Sequence, residues 1–113
     1  MKPHLSLLLR LAIVTTGCIT LAAILSHQKA LELDEEILQP CLSPGMTYHR
    51  AVQFSLFNPF VSLLPHWTIT YFEEPVDIAY VNPTITVDFL GQITSASKEA
   101  GYLLIERGYL DNH

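Results

Sequence analysis

Apolar and polar positions follow three different rhythms along this chain. From Leu5 to Leu25 the apolar residues are nearly continuous, broken by charge only at Arg10. At 1.5 Å per residue such a run is about 30 Å long, the thickness of a bilayer's hydrocarbon, and it predicts one spanning helix. From Leu31 to Leu38 apolar residues stand at 31, 33, 37 and 38 with acids between them. That spacing predicts a short helix with one apolar stripe, and Glu32, Asp34, Glu35 and Glu36 read as its solvated face. Pro40 ends it, and Cys41 to Gly45 make a turn. Thr47, or Ser43 followed by Pro44, then opens a second short helix from Tyr48 to Phe57. Its stripe is Tyr48, Ala51, Val52 and Leu56, widened by Phe54 and Phe57 so that it should be largely enclosed, and Asn58-Pro59 stops it.

The second half changes period. His66 to Phe72 alternates, with Trp67, Ile69 and Tyr71 on one face and Thr68 and Thr70 on the other, as a half-buried strand does. Glu73-Glu74-Pro75 opens a long connection to Asn82-Pro83. Thr84 to Leu90 repeats the alternation, with Ile85, Val87 and Phe89 inward and Thr86 and Asp88 outward. Gly91 supplies the positive φ of a tight turn, and Gln92 to Ser97 returns as a third strand anchored by Ile93. Tyr102 to Ile105 adds an edge strand or a short helix. The fold class is α+β: an N-terminal membrane helix or signal, then two short helices packed on a three-stranded antiparallel meander. Residues 1–25 form the signal or anchor, 26–43 a linker and first helix, and 44–113 the helix and sheet, with a compact unit at about 31–105.

Composition narrows the function. Half of the 113 residues are hydrophobic and 15% are charged, an excess concentrated at the start. From Ser26 onward Lys29, Arg50, Lys98 and Arg107 face all eleven acids, so the basic stripe that nucleic acid requires is missing. Cys18 and Cys41 make no C-x-x-C and no Cys/His cluster, which gives neither a metal site nor a cofactor. Nothing suggests a small-molecule substrate. Ser43, His49 and Asp77 are the letters of a triad, but no nucleophile elbow or paired-carboxylate cleft accompanies them, and no enzyme is expected.

Three fates fit the N-terminus. Lys2 and Arg10 precede the centre of the apolar run and the acids follow it, which places the bulk of the chain outside the cytoplasm if the run is an uncleaved anchor in the inner membrane. Thr15-Thr16-Gly17-Cys18 is also the shape of a lipobox, making Cys18 a lipidation candidate. A fully cleaved signal is the third. All three send the rest of the chain to the periplasmic side.

The order Gly45-Met46-Thr47, helix, Asn58-Pro59, Trp67 and Tyr71, then Thr84 to Phe89 and Gly91-Gln92-Ile93 resembles the BamE/SmpA outer-membrane lipoproteins. It is similar more broadly to the β-lactamase-inhibitor-protein-like module of two helices and three strands. The resemblance makes Gly45, Met46, Thr47, Pro59, Trp67, Tyr71, Phe89 and Gly91 family-motif structural positions. It implies a membrane-tethered interaction module in outer-membrane or envelope assembly or maintenance, acting on a protein partner. The acidic connection with Glu73, Glu74, Asp77 and Tyr80 is the candidate interaction loop. The alternative is a small single-pass subunit of a larger membrane complex, with Arg10 paired inside the bilayer.

Overall fold

The computed structural model describes residues 3–74 and 82–111. The apolar run is the start of a longer helix. It forms helix α1, Pro3–Leu33, and continues without a break through a π turn, Asp34–Leu38, and a 3-10 turn, Gln39–Cys41. Leu5, Leu9, Ile13, Leu21 and Leu25 are exposed, whereas Ser26, Ala30, Leu33, Ile37 and Leu38 are buried. The short helix expected at 31–38 is therefore the end of the N-terminal one. Its stripe follows the 30, 33, 34, 37, 38 spacing of a helix face turned to a core.

The strands are β1, Thr47–Ser55; β2, His66–Glu74; β3, Thr84–Asp88; and β4, Ile93–Ala96. They form one antiparallel meander in the order β1-β2-β3-β4, four strands where three were expected. The difference lies at 48–57, where a helix was expected and β1 stands. A period of two also fits this segment: Tyr48, Arg50, Val52 and Phe54 share one face, and Thr47, His49, Ala51, Gln53 and Ser55 the other. β1 pairs with β2 over its full length, from Thr47 opposite Glu74 to Ser55 opposite His66. Val52, Phe54, Leu56 and Phe57 are exposed, so the enclosed stripe expected of a helix does not form.

β2 and β3 keep the expected alternation, with Ile69, Tyr71, Ile85 and Val87 all buried. Across the opposite face Thr68 bonds Thr86 at 3.0 Å and Thr70 bonds Thr84 at 2.8 Å, a cross-strand pairing that pins the register. Thr86 and Asp88, expected outward, are on that face but buried. The β3–β4 register shifts between Thr86 and Val87, so that Thr86 faces Ser95 and Val87 faces Ile93. This bulge at Thr94 lets Ile93 and Ala96, three positions apart, both join the core side. The last segment is helix α2, Lys98–Glu106, which buries Ala100 and Leu104. One layer thus holds the end of α1, the π turn and α2; the other is the sheet, with Leu33, Ile37, Leu38, Ile69, Ile85, Val87 and Leu104 between them.

Candidate functional site

Two places join the helical layer to the sheet, one at each end of the packed part of α1. The first is a charged contact at the π turn. Asp34 falls in the buried stripe and is 1% exposed, while Glu35 and Glu36 beside it are exposed. Its carboxylate Oδ2 accepts a hydrogen bond from Arg50 Nη1 of β1 at 3.0 Å, and Oδ1 has no partner. The pair ties the helix to an edge strand, which explains how a charged residue can stand in the core-side row of β1. The four acids expected on a solvated face are therefore three, since Asp34 is turned inward. Asp34 stabilises the protonated guanidinium and raises the Arg50 pKa. The phenol of Tyr71 is raised by burial first and by the neighbouring Asp34 carboxylate second. Tyr48 meets the Tyr71 ring edge-on at 6.4 Å, and its hydroxyl accepts the Ser43 backbone N–H at 2.9 Å.

Cys41 lies just beyond, its thiol donating to the Ile37 carbonyl at 3.2 Å. Burial, and then the charge of Glu99, raise its pKa, so it is not an activated nucleophile. Cys41, Ser43, Tyr48, Glu73 and Glu99 line a small cleft of about 60 Å³. Among the described residues no three His, Cys, Asp or Glu side chains are grouped to hold a metal. His49 projects from β1 on the face opposite Tyr48, and Asp77 lies outside the described residues.

The second junction is aromatic and lies at the other end. Trp67 Nε1 donates to the Ala23 carbonyl of α1 at 3.2 Å, and the indole meets His27 edge-on at 4.7 Å. Phe54 packs on Trp67 at 5.1 Å and on Phe89 at 5.6 Å. Beside them a groove of about 570 Å³ is formed by Cys18, Leu21, Ala22, Leu25 and Lys29 of α1 and by the Phe89-Leu90-Gly91 turn.

The motif positions are thereby divided. Trp67, Phe89 and Gly91 gather at the aromatic junction, with Gly91 at φ 79°. Gly45, at φ 82°, turns the chain into β1, and Met46 and Thr47 are exposed beside it. Tyr71 stands at the charged contact, and Pro59 lies in the β1–β2 loop. Cys18 is free and exposed on α1. Of the candidate interaction loop, Glu73 lines the small cleft. Glu74 closes β2 with its side chain outside the described residues, and Asp77 and Tyr80 lie wholly outside them. Asp34 and Arg50 were not singled out from the sequence; the 30-33-34-37-38 spacing was the signal for Asp34. No known family, curated protein or solved structure matches the chain.

Proposed function

We propose that this chain is a membrane-tethered interaction module without catalytic chemistry, held by α1 and presenting its helix–sheet domain outside the cytoplasm. One observation carries the reading: a single helix is exposed and apolar over its first two-thirds and forms the core of a folded domain in its last third. A soluble domain has no use for eleven large apolar side chains left exposed along one helix, and a bilayer satisfies them without any change in the fold. The side follows from charge, since Lys2 and Arg10 precede the centre of the run and all acids follow it. In a bacterial envelope that side is the periplasm, with the anchor in the inner membrane.

The interaction role rests on β1. It is an edge strand of nine residues, mostly exposed, and an uncovered edge is a template for a strand of another chain. The helix that the BamE/SmpA resemblance implies at 48–57 is this strand, so the proposal stands on the edge itself and on the anchor. The small-subunit reading is favoured by Arg10, exposed on the apolar helix and outside any ion pair among the described residues. Arg10→Leu separates the two: loss of complex recovery selects the subunit reading, and unchanged recovery the module. The anchor itself is tested by alkaline carbonate extraction with impermeant-maleimide labelling of a Lys98→Cys variant in intact spheroplasts. Retention in the pellet with labelling from outside is expected. Release to the supernatant, or labelling only after lysis, would refute it.

A further inference from the structure

The end of the sheet nearest the spanning part of α1 carries an apolar surface that the core does not use. The β1–β2 loop, 56–65, places Phe60 at 98% exposure, with Leu56, Phe57 and Leu63 each more than two-thirds exposed. Leu90, at the tip of the β3–β4 turn, is equally bare at 72%. Antiparallel order brings these two connections to the same end of the meander. That end lies alongside the apolar helix, because Phe89, Leu90 and Gly91 face Cys18, Leu21, Ala22 and Leu25. Between Arg10 and His27 the helix carries no charged residue and no histidine, so the loops reach a level where α1 is still lipid-compatible.

Charge is distributed to match. From Ala51 to Phe72, and again from Phe89 to Ser97, the chain has no Asp, Glu, Lys or Arg. Asp88, the one acid at this end among the described residues, is 3% exposed and spends Oδ1 on the Leu90 and Gln92 backbone N–H groups, each at 2.9 Å. Glu73 and Glu99 lie together at the opposite end. The loop also satisfies much of its own backbone: Val61 and Ser62 N–H donate to the Asn58 carbonyl, Phe60 N–H to Asn58 Oδ1 and Leu64 N–H to Ser62 Oγ. A backbone bonded internally can enter a lipid interface at little cost, and Trp67 with His27 stands where an amphipathic ring marks the waterline.

We infer that the β1–β2 loop, with Leu90, is a second membrane contact, seating the domain against the lipid surface from which α1 emerges. The inference rests on α1 spanning the bilayer. The occupant is lipid, since the surface is continuous with the apolar helix and opposite in character to the acidic end. Apolar insertion of this kind needs no anionic headgroup and resists salt.

The test uses the full chain with Cys18→Ser and Cys41→Ser, reconstituted alone in phosphatidylcholine vesicles. Nitroxide labels are placed singly at Ile13→Cys, Phe60→Cys, Leu63→Cys and Glu99→Cys, all at exposed positions. Collision with oxygen, which partitions into lipid, is compared with collision with a water-soluble nickel chelate. The expected result is oxygen dominance at 13, 60 and 63 and nickel dominance at 99, unchanged by added salt. Nickel dominance at 60 and 63 with oxygen dominance at 13 overturns the second contact and leaves the anchor standing. Nickel dominance at 13 overturns the anchor reading itself. Shielding of 60 and 63 from both reagents assigns the loop to a second copy of the chain and also overturns the inference.

Discussion

Asp34 sits where the helix's own periodicity calls for an apolar side chain, and its charge is answered from another element by Arg50. Arg50 is nearly half exposed, whereas Asp34 is buried with one oxygen unpartnered, so the two partners should respond unequally to removal. Arg50→Met leaves a buried carboxylate alone and is expected to cost about 2–3 kcal/mol. Asp34→Leu with Arg50→Met should recover most of that loss, because the stripe then closes with an apolar residue. Denaturant titration in micelles, followed by the fluorescence of Trp67, measures both. Tyr71 adds a pH dependence. Burial and Asp34 raise its pKa above the ordinary 10.0, so the folded state holds the proton more tightly than the unfolded chain. The stabilisation is full below that ordinary value and is lost as pH rises through the raised one. Loss of stability above about pH 10 is expected in the parent and should be weaker in Tyr71→Phe; identical alkaline profiles would contradict it.

At the scale of elements, legibility tracked how cleanly each pattern was kept. β2 and β3 were legible because their alternation is unbroken and their inward residues are uniformly apolar. β1 was misread as a helix because Arg50 interrupts its core-side row, and the charge made sense there only once Asp34 was seen on another element. Its apolar residues also satisfy a helical stripe, and the exposure of an edge strand leaves periodicity little to report. β4 was legible as a strand but not as a bulged one, since Ile93 and Ala96 share a face only after the register shift at Thr94. The β1–β2 register offers a direct check. Ala51 and Thr70 stand opposite each other, at the 4.5–5.5 Å Cα separation of about any antiparallel pair, within disulfide reach. A51C with T70C, in a background lacking Cys18 and Cys41, should be oxidised by dissolved oxygen to an intrachain disulfide, seen as a mass lower by two hydrogen atoms. A segment helical at 48–57 would leave both thiols free.

Across the whole molecule, the apolar run was legible from length alone, but its unbroken passage into the domain was not. The acids from Glu32 to Glu36 read as the solvated face of a separate short helix, whereas the stripe through Ala30, Leu33, Ile37 and Leu38 carries the N-terminal helix onto the sheet. In the apolar loop at 56–65, Leu56 and Phe57 were expected on a buried helix face, and the fold leaves both exposed. The molecule extends over 64 × 33 × 23 Å, its long dimension set by the exposed part of α1. The account's central claim is that this one helix is both anchor and core, and so is retained in the mature protein. Intact mass of the protein purified from membranes tests it most directly. The account predicts the full chain at 12.7 kDa; a mass beginning at a diacylated Cys18, or at any residue after the apolar run, would contradict it.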